Sequence, residues 1–137
     1  KKELDNLKSG ERNLDIDIAS VACMLHDIYV IVNGVYKNHG IEGASIARQV
    51  LEEVGGFSGD QINTITQAVS HHSEKEVYSY DPYLELVKEA DVFDCSLYKG
   101  AEGFYRIHKP KRIFKEYVKR IKNVRAELGL PVNDVFR

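Results

Sequence analysis

Apolar residues recur at intervals of three and four positions along most of the chain, which is the spacing of one buried face of an α-helix. No segment sustains the alternation of apolar and polar residues that is typical of a half-buried strand. Pro82, Pro110 and Pro131 each stand at the edge of an apolar-periodic segment, where proline is tolerated. The pattern therefore predicts an all-α domain with about five to six helices.

Start and stop signals set the approximate bounds of the predicted helices. The Gly55-Gly56 pair ends one apolar-periodic segment, and Ser58 followed by Gln61 indicates a capping box that opens the next. Gly100 is followed closely by Gly103, so we expect the stretch before the last helix to be loose. The predicted helices cover about residues 3–8, 14–30, 40–54, 58–72, 82–98 and 110–128.

Length and composition narrow the class of protein. The chain has 137 residues, a formal net charge of −2 and 43% hydrophobic residues, so we interpret residues 1–137 as a single globular domain. Its longest uncharged runs are too short to cross a bilayer, and residues 1–12 hold no signal-peptide stretch. Cys23 and Cys95 are far apart, which is typical of a reducing compartment. We expect a cytoplasmic protein with no membrane partner, and the sequence favours no particular oligomeric state.

Histidine and aspartate continue the apolar faces of four predicted helices. His72 follows Ile62 by ten residues on one helix, and Asp91 follows Leu84 by seven on the next, so both point towards the core. The same reasoning predicts that two earlier histidines also point inward, and an aspartate follows one of them. These inward residues are His26 with the adjacent Asp27, His39, His72 and Asp91.

Carboxylates and imidazoles buried in one place favour a metal site. An unpaired buried carboxylate costs on the order of several kcal/mol, so it is normally paired or bound to a cation. Imidazole together with carboxylate suits Mn, Fe, Co, Ni or Zn better than Mg. Six candidate ligands exceed the needs of one tetrahedral ion and suffice for two neighbouring ions, which can clamp a phosphate and activate water. The candidate ligands are His26, Asp27, His39, His71, His72 and Asp91.

Each candidate ligand taken alone also has an ordinary structural explanation. An inward histidine near a helix end is commonly a hydrogen-bonded core residue, and a buried aspartate such as Asp91 is commonly one half of an ion pair. Asp94, one turn beyond Asp91, is expected at the surface. The metal interpretation is favoured because the ordinary explanations would all have to hold at once.

Four segments carry the candidate ligands in a fixed order. In this order the sequence resembles the HD superfamily of metal-dependent phosphohydrolases over about residues 14–98. In that superfamily one helix ends in Leu-His-Asp, a second begins with His-Gly, a third ends in one or two histidines, and a fourth contains Ala-Asp. The matching segments are IASVACMLHDI (18–28), NHGIEGASIARQVL (38–51), ITQAVSHHSE (65–74) and LELVKEADVFD (84–94).

The resemblance implies an HD-type helical bundle that hydrolyses phosphoester or phosphoanhydride bonds of a nucleotide-like substrate at a divalent metal centre. Similar patterns occur in hydrolases of nucleotides or dinucleoside polyphosphates, in cyclic-dinucleotide phosphodiesterases and in a nuclease domain of CRISPR systems. The resemblance also implies a first ion held by His26, Asp27 and Asp91, with Asp27 as a candidate catalytic residue. The ligands implied for a second ion, which Asp27 would bridge to the first, are His39 and either His71 or His72.

The first metal ligand of that superfamily is missing from the sequence. It is a histidine on the helix before the His-Asp helix, and no histidine precedes His26. Either the chain is N-terminally truncated and the ligand lies upstream of Lys1, or this protein never had it. We therefore expect a chain that folds but holds metal incompletely, and an enzyme with impaired activity. The alternative is a non-catalytic HD-type regulatory or sensor module, which binds metal or ligand without turnover.

A cation that positions the substrate phosphate is also expected. Many members of the superfamily carry a lysine a few residues after His-Asp, but residues 29–31 are Tyr-Val-Ile here. Lys37, in the loop before His39, is the candidate that takes this catalytic role, and its alternative is an ordinary solvated loop lysine. Lys88 is a further candidate.

The last predicted helix is strongly basic. Residues 106–125 contain nine Lys or Arg and one acidic residue. A solvated helix face is the simpler interpretation, and a surface that attracts a polyanion is the alternative. A small-molecule nucleotide or phosphate ester is therefore the preferred partner, and nucleic acid is the less favoured one. His108 lies outside the ligand pattern and is expected to be exposed.

Overall fold

The computed structural model describes residues 14–133, 135 and 136. These residues form helices and contain no strand, so the all-α prediction is confirmed. The helix predicted over residues 3–8 lies outside the described residues. The helices are α1 (Ile16–Leu25), α2 (Ile28–Asn33), α3 (His39–Val54), α4 (Gly59–His71), α5 (Pro82–Ser96), α6 (Ala101–His108) and α7 (Lys111–Glu127).

The helix predicted over residues 14–30 is divided in two. α1 ends at Leu25 and α2 begins at Ile28, because Asp27 between them has φ −106° and ψ 19° and leaves the helical conformation. The break lets the adjacent side chains of His26 and Asp27 reach the same place, which a continuous helix would not allow because neighbouring residues diverge by about 100° around its axis.

The stretch that the sequence predicted to be loose is instead the helix α6. Gly100, at φ 87°, supplies the left-handed residue from which α6 starts. Gly103 lies inside the helix, where a glycine costs about 1 kcal/mol relative to alanine. The helix forms despite this cost, and α6 packs beside α5 and α7.

The first hydrophobic core joins α1, α3, α4 and α5. α4 packs against the other three helices, and alanine or cysteine at many contact positions lets the helices approach closely. Cys23 is one of these small residues and is buried. The core consists of Ile18, Ala22, Cys23, Ala47, Leu51, Ile62, Ile65, Ala68, Val69, Val87 and Ala90.

A second hydrophobic core lies on the other side of α5. Val92 and Phe93 of α5 pack there against α7 and against Val135 from the end of the chain. The remaining buried members are Tyr117, Ile121 and Val124 of α7. Because the two cores share α5, that helix is buried along most of its length.

The loop between α4 and α5 is held by buried charged groups. Arg120 is fully buried, and its guanidinium donates to the carbonyl oxygens of Lys75 and Val77 at 2.7 and 2.9 Å. The same guanidinium lies 3.1 Å from Glu85. Lys88 donates to the Val77 carbonyl at 2.7 Å and lies 3.2 Å from Glu85. Arg120 of α7 and Lys88 of α5 therefore both hold the loop, although it has no regular structure.

The capping box predicted at the start of α4 is confirmed. The Ser58 hydroxyl accepts a hydrogen bond from the Gln61 amide at 3.1 Å, and the Ser58 amide donates to the Gln61 side chain at 2.9 Å. Both bonds satisfy backbone donors that the first turn of a helix leaves without partners.

The segment Ile16–Asn33 is long and apolar enough to cross a membrane by length and composition alone, with a mean hydropathy of 1.5 over 18 residues. The sequence expectation counted only uncharged runs, which Asp17 and Asp27 interrupt. Core helices of soluble proteins meet the same criterion, so the finding is weak evidence for a membrane. In the structure, one face of α1 packs into the first core through Ile18, Ala22 and Cys23.

α3 and α4 approach closely at Gly40. A Cβ atom added there would lie 2.6 Å from the backbone carbonyl oxygen of Ser70, a distance that real Cβ atoms do not adopt. The contact lies one residue from His39 and two residues from His72. A glycine is therefore needed at this position to keep the two histidine-bearing helix ends together.

We expect Gly40→Ala to destabilise the fold by about 1–3 kcal/mol, because α3 must move away from α4. Urea unfolding followed by circular dichroism measures the change. Gly59→Ala is the matched control, since nothing lies within 4 Å of a Cβ added at Gly59, and it should be neutral or stabilise by up to about 1 kcal/mol. Equal stability of Gly40→Ala and the wild type would contradict the argument.

Candidate metal centre

Helix ends bring five of the six candidate ligands to one place. They come from the breaks on either side of α2, from the end of α4 and from the middle of α5, so each side chain is positioned by an element packed in the first core. His26 and His72 are buried and the other three are partly buried. The five residues are His26, Asp27, His39, His72 and Asp91.

Asp27 stands between two groups of nitrogen atoms. One carboxylate oxygen, Oδ1, lies 3.3 Å from Nε2 of His72 and 3.4 Å from Nε2 of His39. The other, Oδ2, lies 3.2 Å from Nε2 of His26, which in turn lies 3.3 Å from Oδ1 of Asp91. The geometry divides the cluster into a first group of His26, Asp91 and Oδ2, and a second group of His39, His72 and Oδ1.

Each histidine ring of the cluster is oriented by a backbone carbonyl. In all three rings Nδ1 lies at hydrogen-bond distance from the carbonyl three residues earlier. Since a carbonyl only accepts, Nδ1 carries the proton and Nε2 remains an acceptor that faces the cluster. The carbonyls belong to Cys23, Tyr36 and Val69, at 2.5, 2.7 and 2.7 Å from His26, His39 and His72.

Acceptors therefore face acceptors within the cluster. The Nε2 atoms of His39 and His72 are 3.0 Å apart, and with both protons on Nδ1 no hydrogen lies between them. Such a contact requires a cation or an additional proton. The nearby donors are the Ser73 hydroxyl, 3.2 Å from Nε2 of His39, and the Lys75 ammonium, 2.5 Å from Oδ2 of Asp91.

The donor set fits a divalent transition metal. Nitrogen and oxygen ligands at about 2.0–2.1 Å from a tetrahedral ion lie about 3.3 Å from each other, and the atoms of the cluster are separated by 3.0–3.4 Å. Three imidazoles with two carboxylates suit Mn, Fe, Co, Ni or Zn, whereas Mg prefers oxygen ligands throughout.

Burial and charge favour the protonation states that bind metal. Burial lowers the pKa of His72 below its ordinary value, so the ring stays neutral. Burial alone would raise the pKa of Asp91, but the Lys75 ammonium and His26 together outweigh burial and hold that pKa well below the usual range. A neutral imidazole and a charged carboxylate are the forms that coordinate a cation.

His71, the alternative to His72, points away from the cluster. Its Nδ1 contacts the Glu74 carboxylate, and its side chain is 45% exposed. It lines a separate surface depression with Tyr36 and Ile41. Of the two adjacent histidines, the structure therefore brings only His72 to the other ligands.

The two lysines considered as phosphate contacts do not reach the cluster. Lys37 is exposed in the turn before α3 and is not among the residues that line the cavity beside the cluster. Lys88 is buried, and its ammonium is bound to Glu85 and to the Val77 carbonyl. Neither side chain contacts the predicted metal ligands.

A cavity of about 670 Å³ opens beside the cluster. Asp27, His39 and Asp91 line it on one side, with Ser73 and Lys75 next to them. The other lining residues include the aromatic side chains of Phe104, Tyr105 and Tyr117 together with Lys109. The volume is within the range of small-molecule sites in proteins.

Lys75 is the cationic residue that sequence reasoning missed. It is only 5% exposed, although a lysine is rarely buried unless paired. It lies in an irregular loop, where helical periodicity gives no information on side-chain direction. The sequence offered one indication that Lys75 lies near the site, which is its position three residues after the predicted ligand His72.

We expect His72→Ala to lower metal affinity by more than about 100-fold, since the loss of a ligand exceeds the 10–100-fold typical of its outer hydrogen-bond partners. His71→Ala should leave affinity unchanged, because that ring faces Glu74. Competition with a chromogenic chelator measures both. The opposite ranking would show that His71 is the ligand.

One comparison with known proteins identifies a family. The HD domain matches residues 2–95, which include all five residues of the cluster. No curated protein and no solved structure matches the chain. Since the match covers more than half of the chain, with the His26-Asp27 pair at the centre of the cluster, the chain belongs to the HD domain family, whose members are usually metal-dependent hydrolases.

Proposed function

We propose that the chain is a metal-dependent phosphohydrolase that cleaves a phosphoester or phosphoanhydride bond of a nucleotide-like substrate. One observation carries the proposal. Three imidazole nitrogens and two carboxylates converge with 3.0–3.4 Å between neighbouring atoms, beside a cavity of about 670 Å³. The match to the HD domain supports the same chemistry.

Divalent ions would be held by the two groups that Asp27 joins. His26 and Asp91 with Oδ2 of Asp27 would hold one ion, and His39 and His72 with Oδ1 would hold a second. Ions bound there polarise a phosphoryl group and lower the pKa of water. Mn, Fe, Co, Ni and Zn fit the donor set better than Mg.

Lys75 takes the role of the phosphate-positioning cation in this proposal. Its ammonium lines the cavity next to Asp91, where it can contact a phosphate oxygen and offset the negative charge that grows during cleavage. Arg120 fixes the Lys75 backbone at 2.7 Å, so the lysine is positioned before substrate arrives. Lys37 remains a second candidate for the same role, from an exposed turn.

The proposed setting is the cytoplasm, with a small molecule as the partner. Cys23 and Cys95 are free thiols, which a reducing compartment maintains. The cavity accommodates a small molecule rather than a folded one. The basic face of α7, with Lys115, Lys119 and Lys122 at the surface, keeps nucleic acid as the less favoured partner.

Metal analysis combined with a phosphate-release screen tests the proposal. The chain is loaded in turn with Mn²⁺, Co²⁺, Ni²⁺, Zn²⁺ and Mg²⁺ and incubated with nucleoside mono-, di- and triphosphates and with bis(p-nitrophenyl) phosphate. We expect metal-dependent release that a chelator abolishes. Metal binding without turnover would favour the non-catalytic sensor module instead, and failure to bind any of these metals would refute both.

A further inference from the structure

The cavity beside the metal centre has two walls of different origin. The wall with Asp27, His39 and Asp91 lies within residues 2–95, which match the HD domain. The second wall consists of the lining residues from Phe104 onward, which belong to α6, to Lys109 in the α6–α7 connection and to α7, beyond the matched residues. Features of that second wall are therefore properties of this chain rather than of the matched domain.

The second wall presents aromatic rings to the cavity. Phe104 is 56% exposed, so much of its ring is open to solvent. Its ring is held in place by stacking on His108, with ring centres 4.1 Å apart and planes 20° from parallel. Tyr105 and Tyr117 continue the wall in an edge-to-face contact at 5.1 Å. A fixed, exposed ring of this kind offers its face to another planar group.

The same wall carries a positive charge. The Lys109 ammonium lies 5.6 Å from the centre of the Tyr117 ring, and the Lys75 ammonium lies 6.0 Å from it. Lys75 pairs with Asp91, whereas no carboxylate of the described residues forms an ion pair with Lys109. One molecule in the cavity can therefore meet both the Lys75 and the Lys109 ammonium groups.

The charges of the cavity favour a polyanion. Asp27 and Asp91 supply two negative charges, and Lys75 and Lys109 supply two positive ones. Each divalent ion bound at the cluster adds two more positive charges. A substrate with a single phosphate would leave much of this charge without a counterpart.

We propose that Phe104 and Lys109 form a subsite for the base and the distal phosphates of a nucleoside di- or triphosphate. The base stacks on the exposed face of Phe104, and Lys109 contacts a phosphate that is not the one cleaved. The inference rests on the proposed function, because it takes the metal centre as the place of the reacting phosphate. The inference adds that Phe104 of α6 and Lys109, between α6 and α7, select the base and the distal phosphates.

Equilibrium binding to the metal-loaded protein tests the subsite through affinity rather than turnover, because the bound ions supply the net positive charge that favours a polyanion. Isothermal titration calorimetry is run with ATP, with inorganic tripolyphosphate and with adenosine, at a temperature and protein concentration at which no phosphate release is detected. We expect ATP to bind more tightly than tripolyphosphate, because stacking adds to the affinity. Phe104→Ala should weaken ATP by about tenfold, which is within the range measured for loss of one base–aromatic stack, and should leave tripolyphosphate unchanged. Phe104→Tyr keeps a ring and should restore ATP binding.

Lys109→Gln is expected to weaken ATP and tripolyphosphate alike, with a larger effect at low salt. Ile107→Ala is the matched control for Phe104, since Ile107 is 79% exposed on the same helix and does not line the cavity. Lys111→Gln is the control for Lys109, because Lys111 is exposed and also lies outside the cavity. Neither control should change the affinity for ATP.

The outcomes separate the subsite from the proposed function. Base-dependent ATP binding that Phe104→Ala removes supports the subsite, even if the metal-loaded chain releases no phosphate. Metal-dependent hydrolysis that is indifferent to Phe104→Ala and Lys109→Gln overturns the subsite alone. Wild-type protein that binds ATP no better than tripolyphosphate, or binds neither, also overturns it. A single-stranded oligonucleotide that displaces ATP at a concentration below the Kd of ATP also overturns the subsite, because nucleic acid would then be the preferred ligand.

Discussion

Asp27→Ala is expected to lower metal-dependent phosphate release by more than about 100-fold and to reduce the bound metal per chain. Asp27 is the residue whose two carboxylate oxygens reach both groups of nitrogen ligands, at 3.2 to 3.4 Å. Its removal takes a ligand from each group, whereas loss of an outer hydrogen-bond partner alone costs 10–100-fold in typical metal sites. Metal analysis and kcat/KM measured on the same preparation check the two effects together.

Asp17→Ala is the control for Asp27→Ala. Asp17 is an exposed aspartate in the first turn of α1, remote from the cluster in sequence and outside both ligand groups. It should keep full metal content and full activity. Hydrolysis that survives Asp27→Ala would remove the proposed mechanism, even if the chain still bound metal elsewhere.

Arg120→Ala is expected to have the largest effect on stability, a loss of about 3 kcal/mol or more. The substitution removes a buried guanidinium and leaves the carbonyls of Lys75 and Val77 without that donor. It also leaves the partly buried Glu85 with Lys88 as its remaining ion-pair partner. Breaking a buried ion pair by removing one member costs about 3–5 kcal/mol in comparable cases. Urea unfolding measures the loss.

Lys122→Ala is the control for Arg120→Ala, because Lys122 lies exposed on the same helix, and surface changes usually stay within about 0.5 kcal/mol. If the alanine variant fails to fold, Arg120→Lys provides the test. A lysine keeps the charge but cannot reproduce the two-pronged contact, so we expect an intermediate stability and reduced phosphate release through a misplaced Lys75. A stability change below about 1 kcal/mol for Arg120→Ala would contradict the anchoring role.

Much of the candidate site could be predicted from the sequence, because helical periodicity fixes side-chain direction inside a helix. His72 and Asp91 continue apolar faces at multiples of the helical repeat, and both lie at the cluster. The family match confirms the HD-type fold that the ordered segments indicated. Periodicity also predicted the inward face of α7, although not the fully buried Arg120 within its basic segment.

The remaining features of the candidate site lie at helix ends and in loops, where helical periodicity gives no information on side-chain direction. His71 and His72 are adjacent at a helix end, and the place where α4 stops decides which of them turns inward. Lys75 follows in an irregular loop whose path is set by Arg120, which is 45 residues away in the sequence. The break at Asp27 is a local backbone change that no apolar pattern signals. Contacts distant in sequence therefore determine what the local pattern leaves open.

α5 gives the domain a dependence that the family match does not reveal. Asp91 is on a helix whose next residues, Val92 and Phe93, belong to the second core with α7. A chain shortened to the matched residues would expose that face to water and lose the guanidinium that holds the Lys75 loop. We therefore expect the part of the chain that carries the metal ligands to be less stable without α7, and substitutions in α7 to alter the metal centre without contacting it.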